Sequence, residues 1–587
     1  MTSLNLHSKI PIGKSDWDFL RNNNFLLVDK TKIMGQLVAQ YNNVFITRPR
    51  RFGKTTLLSM LEDLFTNGDV NFKGKKIYGH WPEEQTYPVI RFSFLNVNSH
   101  NVTPTDTSSF EDSLKSNLAR AYRKAGFPEA DTFRNEEVRL EDFLLRLSDI
   151  SDNHSLVFLI DEWDNPLSNH LDNENTFNAI RNVLSVFYAW HRSLNNVRFT
   201  LITGIMRYKE TSYFTGRDVL DISLNPDYAS LLGYTQEEIE TTFAPHIEEA
   251  AQRFNVTREQ FLAELKHYYN GFCFDYNAST KVYCPWSVNC FFNQLTSNNT
   301  EQEPYFENFW MRSVGDPTSL RTFMNRTNPN YSLINQITSD GVVLTLDNIE
   351  SPQSFSKVEF LSLLTLNGYL SIHSIKEPVA YLPSNRSFIC RFPNQEVSLG
   401  FSRIFLQYAI DTALVRPTAA TSLGAALFQD DIASACIYLN EMLSDLLSDI
   451  LKSAQEIQYR ALIASAINFC GYQVREETGN RMGRSDIEIE IPEPNHHVDV
   501  IELKVLPQAQ SQESAEAKRK LLDEAQAQIL SRGYGVNRFT HGLHVIGIAL
   551  VISPVSRQIV AWRKIDNQTG IQEGEVAPLT LLNKPEY

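Results

Sequence analysis

The segment that most constrains this chain is Arg48 to Thr56 (RPRRFGKTT), which lies between an apolar run and an amphipathic pattern. The run at residues 44–47 predicts a buried strand, and residues 54–65 place apolar side chains at helical spacing. Glycine lets the backbone approach phosphate oxygens, lysine meets the β/γ-phosphate charge, and a threonine hydroxyl ligates Mg²⁺. Gly53, Lys54 and Thr55 therefore predict a phosphate-binding loop, and the amides of the following helix point at the same anion.

Short apolar runs alternate with helical patterns over the first 230 residues. Beyond 44–47, the predicted strands are 87–94, 155–160, 198–203 and a less clear 218–224, and the predicted helices include 110–125, 136–148 and 176–194. Such alternation is typical of βαβ units. It predicts an α/β fold, with a parallel sheet covered by helices on both faces.

The strand at 155–160 is followed directly by two acids, Asp161 and Glu162. A strand buried on both faces stays apolar, so acids at its carboxyl end face the crevice where open α/β sheets bind ligands. There Asp161 can hold Mg²⁺, usually through water, and Glu162 can orient or polarise the attacking water. Together with the phosphate-binding loop, this pair predicts a site for MgATP.

Other polar residues are candidates for the same nucleotide site. Thr203 ends another strand and could sense the γ-phosphate, and Arg207 could stabilise charge in its own subunit or in a neighbour. The alternative for Arg207 is a surface arginine. We place Arg51 and Thr56 at the phosphates as well, although Arg50 and Arg51 also fit a solvated turn.

The loop departs from the pattern G-x-x-x-x-G-K-[ST] at one position, because Arg48 stands where the first glycine belongs. A basic turn before a surface helix is the alternative on these residues alone.

The strings VDKT (from Val28), RPRRFGKTT, LIDEWDNPL and ITGIMRYKE resemble the AAA-ATPase-like family that carries a C-terminal PD-(D/E)xK nuclease domain, mostly in bacteria. This resemblance covers residues 10–290 and implies that the arginine is a family trait. It also implies Walker roles for Lys54, Thr55, Asp161 and Glu162, although Trp163 stands where relatives often have tyrosine.

The predicted domains are an AAA-like ATPase domain at 1–234, a helical lid region at 235–300, a mixed and mainly helical connecting region at 301–449, and a nuclease-like domain at 450–587. Helices are expected at 236–243, with a capping box between Thr235 and Glu238, at 258–269 and within 420–448. The last part predicts the order αβββαββ. Its elements are helix 454–469, strands 471–475, 486–491 and 498–505, helix 513–530, and strands 543–552 and 558–562.

A second group of charged residues lies in that C-terminal part. Because strand side chains alternate, Glu502 and Lys504 project together while Ile501 and Leu503 turn toward a core. Asp486 can converge on Glu502 from the adjoining strand. Two carboxylates with open water positions suit Mg²⁺ or Mn²⁺, and Lys504 can position the water that such a metal activates. The alternative is an exposed edge with alternating charges.

The order of elements around these residues resembles the PD-(D/E)xK nuclease fold over residues 450–565. In that resemblance Asp486, Glu502 and Lys504 are the catalytic group, Glu456 matches the supporting acid of the first helix, and Gln528 matches a polar position of the later helix. Other polar groups are weaker candidates. His496-His497 fits a solvated loop better than a metal site, and Lys518-Arg519-Lys520 fits a solvated helix face better than a contact with a phosphate backbone. We interpret Cys273, Cys284 and Cys290 as small buried side chains.

The sequence thus predicts an ATPase joined to a metal-dependent nuclease, with ATP and nucleic acid, DNA more than RNA, as partners and nucleotide binding controlling the nuclease. A net charge of −15 argues against coating nucleic acid by bulk charge. Six cysteines without a C-x-x-C pair, no apolar N-terminal stretch and no long apolar run predict a cytoplasmic chain without membrane contact, and a homo-oligomer is an open option. The alternatives are a nucleotide-dependent regulator or scaffold whose nuclease-like domain no longer cuts, and a sensing module that binds ATP without hydrolysis.

Overall fold

The computed structural model describes most of the chain. The described residues are 9–134, 138–171, 173–208, 219–296, 306–314, 337, 341–350, 360–376, 386–398, 400–401, 417–446, 456–470, 472–480, 483–491, 495–507, 514–532 and 543–576. The chain divides into two compact units, one formed by residues 1–327 and 342–397 and the other by residues 328–341 and 398–587.

The helices, in chain order, are α1 (Trp17–Asn22), α2 (Thr31–Gln40), α3 (Lys54–Asn67), α4 (Ser108–Lys124), α5 (Ala130–Arg134), α6 (Leu140–Ser151), α7 (Asn165–Ser168), α8 (Glu174–Ser193), α9 (Gln236–Thr242), α10 (Ala244–Arg253), α11 (Arg258–Tyr269), α12 (Pro285–Thr296), α13 (Phe309–Val314), α14 (Leu346–Glu350), α15 (Phe360–Leu366), α16 (Pro417–Phe428), α17 (Ile432–Leu446), α18 (Glu456–Phe469) and α19 (Ala515–Arg532). The strands are β1 (Asn43–Thr47), β2 (Val89–Ser93), β3 (Leu156–Asp161), β4 (Val197–Gly204), β5 (Leu220–Asp221), β6 (Phe272–Cys273), β7 (Lys281–Val282), β8 (Val342–Thr345), β9 (Ser371–Lys376), β10 (Ser387–Arg391), β11 (Gln473–Asn480), β12 (Gly483–Ile491), β13 (His497–Val505), β14 (His544–Ser553), β15 (Gln558–Asp566) and β16 (Gly570–Glu575).

The first unit is built on a five-stranded sheet in the order β2-β3-β4-β1-β5, and all its pairings are parallel. Phe199 of β4 packs on Phe65 of α3 with ring centroids 5.3 Å apart. Phe158 of β3, whose side chain points to the opposite face, packs on Trp190 of α8 at 6.2 Å. Helices therefore cover both faces, as predicted, and the carboxyl ends of β1, β3 and β4 meet at one edge of the sheet.

The weakest of the five predicted strands is also the shortest in the structure. Within the predicted 218–224, only β5 pairs with β1, through Val44 opposite Leu220 and Phe45 opposite Asp221, and residues 209–218 lie outside the described part. The predicted capping box is present, since the Thr235 side chain accepts from the Glu238 amide and Glu238 accepts from the Thr235 amide. The helix expected at 258–269 spans those residues.

Downstream of these helices, the first unit contains a small antiparallel sheet in the order β8-β10-β9. No strand was predicted in this stretch, whose mixed aromatic and polar composition gives no regular period. The sheet lies within the predicted connecting region of 301–449, for which a mainly helical structure was expected.

The second unit holds a six-stranded mixed sheet in the order β11-β12-β13-β14-β15-β16, in which only the β13–β14 pairing is parallel. Helices α16, α17 and α18 pack on one face around Ile487, Ile501 and Ile548. Helix α19 packs on the other face against Ala549 and Val551. The predicted order αβββαββ is present from α18 to β15, and β16 extends it.

The compact second unit includes α16 and α17, which lie upstream of residue 450, because their apolar side chains contribute to the core beneath the sheet. The predicted division of the chain into four domains stays a prediction. In the described part of the chain, no helix has the length and apolar content that crossing a bilayer requires.

Candidate functional site

The predicted phosphate-binding loop opens into a cavity of about 510 Å³. Gly53 is the N-cap of α3 and has φ +92°, a left-handed conformation that glycine adopts without strain. Arg51 adopts a similar conformation at φ 72°. The cavity is lined by Arg50 to Leu57, by the N-terminal segments 13–15 and 27–30, by Glu162, and by Leu231 to Tyr234.

Lys54 is buried at the base of this loop, with 6% of its surface exposed. Its Nζ donates to the carbonyl oxygens of Arg48 at 2.8 Å and Pro49 at 2.9 Å. Burial lowers the pKa of Lys54, although Asp161 and Glu162 act in the opposite direction. An ammonium held by carbonyl dipoles beside a cavity is suited to exchange those oxygens for the oxygens of an anion.

Thr55 and Asp161 meet, as the parallel order of β1 and β3 around β4 requires. The Thr55 hydroxyl donates to Asp161 Oδ2 at 2.7 Å, and the buried Thr203 hydroxyl donates to Asp161 Oδ1 at 2.6 Å. The backbone amide of Glu162 also donates to Oδ1, at 3.0 Å. Thr203 thus orients the carboxylate from behind, and the Thr55 and Asp161 oxygens form a pair of hard ligands beside the loop.

Glu162 lines the cavity in a strained backbone conformation, with φ 49°. Burial raises the pKa of Glu162, and the neighbouring acids Asp161 and Asp164 raise it further against the effect of Lys54. A non-glycine residue in the left-handed region costs about 1 kcal/mol or more and persists where the surrounding structure enforces it. The end of β3 therefore directs the Asp161 carboxylate toward Thr55 and the Glu162 carboxylate toward the cavity.

Arg48 does not point into the nucleotide cavity. It is 1% exposed, and its Nη1 donates to the carbonyl oxygens of Thr47 at 2.8 Å and Ser223 at 2.7 Å. The guanidinium lies 4.3 Å from the centroid of the Phe274 ring. Burial lowers the pKa of Arg48 to about 9, so the side chain keeps its charge at neutral pH. Arg48, which stands at the position of the first glycine, therefore connects the loop to the segment around residue 223 by hydrogen bonds.

Arg207 also lies away from the loop cavity. It forms an ion pair with Asp221, Nη1 to Oδ2 at 2.8 Å, and lines a separate cavity of about 170 Å³ together with Arg48. The structure therefore does not bring Arg207 to Lys54 and Glu162. By contrast Gly53, Thr56 and Arg51 all line the larger cavity.

The outer side of the loop is held by residues that sequence reasoning did not single out. The Trp310 indole donates to the Arg50 carbonyl at 3.0 Å, and the Arg51 guanidinium lies 4.3 Å from the Trp286 ring centroid. The buried carboxyl of Glu396 accepts from the Trp310 amide at 2.6 Å and from the Ser287 hydroxyl at 2.7 Å. These contacts join residues more than 80 positions apart, so spacing gave no signal for them.

The second group of candidate residues lies on β12 and β13. Ile487 pairs with Ile501, which places Asp486 opposite Glu502 on the antiparallel pair, and directly opposed residues share a face. Asp486 Oδ2 accepts from the Leu503 amide at 2.8 Å, and Lys504 Nζ donates to Glu502 Oε1 at 3.0 Å. The structure therefore brings the predicted Asp486, Glu502 and Lys504 together at neighbouring positions.

Arg460 of α18 joins this group without having been predicted. Its Nη1 lies 3.3 Å from Asp486 Oδ1. It follows Glu456 by four residues on the same helix, so helical spacing was the available signal. Glu456 begins α18, but its side chain lies outside the described part of the structure.

The weaker candidates are engaged in local pairs. His496 contacts Glu490 at 3.2 Å, His497 contacts Asp499 at 3.2 Å, and Lys518 contacts Glu575 at 2.9 Å. Gln528 lies on α19 and is partly buried. Within the described ranges, no group of three or more His, Cys, Asp or Glu side chains could hold a metal ion.

Comparison with known proteins gives two family matches. Residues 11–214 match the AAA-ATPase-like family, described as "Predicted AAA-ATPase", and residues 454–562 match the PD-(D/E)XK nuclease superfamily. The chain joins an AAA-ATPase-like domain to a PD-(D/E)XK nuclease-superfamily domain. The predicted architecture is confirmed. The first matched range includes Lys54, Thr55, Asp161 and Glu162, and the second includes Asp486, Glu502 and Lys504.

One relative matches the AAA-ATPase-like and nuclease-superfamily domains together. A protein of Azotobacter chroococcum mcd 1, described as an uncharacterized protein in the vnfD 5′ region, is 25% identical over 564 residues, covering 94% of this chain and 98% of its own. Among solved structures, a Walker-type ATPase of Pyrococcus abyssi is 12% identical with a TM-score of 0.34, covering 68% of this chain and 99% of that one. AMPPCP-bound DnaA from Aquifex aeolicus is 15% identical with a TM-score of 0.17, covering 45% of this chain and 61% of that one.

Proposed function

We propose that the chain binds and hydrolyses ATP at the loop cavity and cleaves nucleic acid at the Asp486–Glu502–Lys504 group. The observation that carries the first half is the contact of Thr55 with Asp161 at 2.7 Å beside the buried Lys54. The observation that supports the second half is the opposition of Asp486 and Glu502 on β12 and β13, with Lys504 bonded to Glu502.

The charge of the loop cavity suits a triphosphate. Among the described residues that line it, six side chains are basic and two are acidic. The basic set is Lys14, Lys30, Arg50, Arg51, Lys54 and Lys75, of which Lys30 is paired with Glu238, and the acidic set is Asp29 and Glu162. Asp29 is already engaged by the Thr31 hydroxyl at 2.6 Å. A cavity of about 510 Å³ is also within the size range of nucleotide-sized ligand sites.

Mg²⁺ fits this site, because the Thr55 hydroxyl and the Asp161 carboxylate are the hard oxygen donors that it prefers. Bound there with ATP, it would neutralise charge that develops on the phosphates. Lys54 exchanges the Arg48 and Pro49 carbonyls for phosphate oxygens. Glu162 orients a water molecule toward the γ-phosphate and accepts its proton, and Thr203 keeps Asp161 turned toward Thr55.

In the nuclease-superfamily domain, Asp486 and Glu502 would hold Mg²⁺ or Mn²⁺, and the fit rests on two buried carboxylates side by side on one strand pair. Such a metal lowers the pKa of bound water and supplies a hydroxide. Lys504 would position that water or stabilise charge on the scissile phosphate. Nucleotide binding would control access to this site in a cytoplasmic bacterial protein that acts on DNA more than RNA.

The experiment measures both activities on the full chain with matched variants. Phosphate release from ATP is expected to be lost in Lys54→Ala and Glu162→Gln and kept in Lys124→Ala, a surface lysine at the end of α4. Cleavage of single- and double-stranded DNA and of RNA, with Mg²⁺ or Mn²⁺, is expected to be lost in Glu502→Ala and Lys504→Ala and kept in Lys520→Ala.

Each arm has a result that refutes it. Phosphate release unaffected by Glu162→Gln would favour a module that binds ATP without hydrolysis. No cleavage of any nucleic acid with either metal would favour a regulatory or scaffold protein with a non-cleaving nuclease-like domain.

A further inference from the structure

Arg460 has no part in the cleavage step proposed above, although it lies beside Asp486. It extends from α18 to Asp486, and the side chains of the pair are only 12% and 11% exposed. The other carboxylate of the site is paired in the same way, since Lys504 and Glu502 are 14% and 5% exposed. Two acids and two bases thus lie together, largely shielded from water.

Both carboxylate oxygens of Asp486 have partners in this arrangement. Its Oδ2 accepts the Leu503 amide at 2.8 Å, and its Oδ1 faces the Arg460 guanidinium at 3.3 Å. The Leu503 bond extends the contact between β13 and β12, because Leu503 lies two residues beyond the last ladder pair, Ile487 with Ile501. Oδ1 is therefore the oxygen with which a metal ion would compete, and its present partner carries a positive charge.

We propose that Arg460 is a positioning residue that holds the metal-binding carboxylate Asp486 in a cation-paired form, so that a divalent ion binds only by displacing the guanidinium. This inference rests on the proposed metal-dependent nuclease site. Arg460 thereby lowers the affinity of the site for metal. Once displaced, the guanidinium is adjacent to the site and carries a charge complementary to a phosphodiester.

The electrostatic consequence has a definite sign. A divalent ion at Asp486 is repelled by any positive charge that stays within a few ångströms, and in a shielded environment this repulsion is weakly screened. Removing the charge of Arg460 relieves the repulsion and removes the competing partner. Lysine at this position keeps the charge but loses the planar guanidinium, which separates the effect of charge from that of shape.

The experiment measures Mn²⁺ binding to the full chain without nucleotide, by titration calorimetry and by the electron paramagnetic resonance signal of free Mn²⁺. Glu502→Ala identifies the part of the signal that belongs to this site. Arg460→Gln is expected to tighten Mn²⁺ binding by about tenfold, and Arg460→Lys to tighten it less. Arg519→Gln, which removes an exposed arginine of α19, is the charge-matched control and is expected to leave binding unchanged.

The possible results distinguish a failure of the role proposed for Arg460 from a failure of the proposed metal site. Mn²⁺ binding that is equal or weaker in Arg460→Gln than in the unaltered chain, with the circular dichroism spectrum unchanged, overturns the role of Arg460. Absence of Glu502-dependent binding in every variant overturns the metal site itself. Binding that appears only in Arg460→Gln supports the inference, because it shows that the guanidinium blocks the carboxylate.

Discussion

Substituting Glu396 by glutamine tests how the loop that carries Lys54 is supported. Glu396 is fully buried and accepts hydrogen bonds from the Trp310 amide and the Ser287 hydroxyl. Trp310 in turn holds the Arg50 carbonyl of the loop. Glutamine keeps the shape of the side chain, can accept from the amide through its carbonyl oxygen, and can donate to the hydroxyl.

The magnitude follows from the titration of Glu396. Burial raises its pKa from 4.5 to about 8, so the folded protein favours the protonated carboxyl. Below pH 4.5 Glu396 is protonated in both the folded and the unfolded chain, so it does not lower the free energy of unfolding. Above that pH the Glu396 carboxyl loses its proton first in the unfolded chain. The free energy of unfolding therefore falls until the pH passes 8. At 1.36 kcal/mol per pKa unit, the loss grows from about 2 kcal/mol at pH 6 to about 5 kcal/mol at pH 9.

Glu396→Gln removes this dependence because glutamine does not titrate. The free energy of unfolding of the variant, relative to the unaltered chain, is therefore expected to rise by about 3 kcal/mol between pH 6 and pH 9. Urea unfolding followed by tryptophan fluorescence at both pH values measures the difference. Six of the seven tryptophans lie in the compact unit that contains Glu396, so the signal reports mainly on that unit.

Glu264→Gln, which removes an exposed carboxyl of α11, is the matched control and is expected to show the same stability difference at both pH values. If the difference between Glu396→Gln and the unaltered chain were also constant between pH 6 and pH 9, Glu396 would be ionised in the folded protein. The description of a neutral buried carboxyl behind the loop would then be wrong.

Two further substitutions test the strand ends beside the proposed ATP site. Gly204→Ala is expected to lower the free energy of unfolding by about 1–3 kcal/mol, since a Cβ there would lie 2.4 Å from the Trp163 ring; a thermal midpoint equal to that of the unaltered chain would contradict this packing. Thr203→Val removes the hydroxyl bonded to Asp161 while nearly keeping the side-chain volume, so we expect ATP hydrolysis to fall by about tenfold. Unchanged ATP hydrolysis in Thr203→Val would show that Asp161 does not need the hydrogen bond from Thr203.

Much of the proposed ATP site could be predicted because local rules and sheet topology act together. The loop at Gly53 to Thr55 follows a strand and begins a helix, and the acids at 161 and 162 end another strand. In a parallel sheet such ends meet at one edge, and Thr55 and Asp161 are in contact. Likewise, alternation along β13 predicted that Glu502 and Lys504 share a face.

The direction of the arginines could not be predicted. Arg207 was a candidate for the nucleotide site, and Arg48 stands where the first glycine of the loop pattern belongs. Each is turned to partners in the segment around residues 221–223. A long cationic side chain near a phosphate-binding loop reaches several neighbours equally well. Which one it contacts depends on burial and on carbonyl oxygens that only the folded chain brings near.

The sequence by itself determined where strands end and helices begin, because hydrophobic period, glycine and capping residues act over a few positions. Only the tertiary structure decided that Trp310 and Glu396 hold the loop and that Arg460 faces Asp486. These contacts join residues that are 26 to 260 positions apart. At such separations no local pattern constrains the partner, and the choice is made by the packing of whole elements.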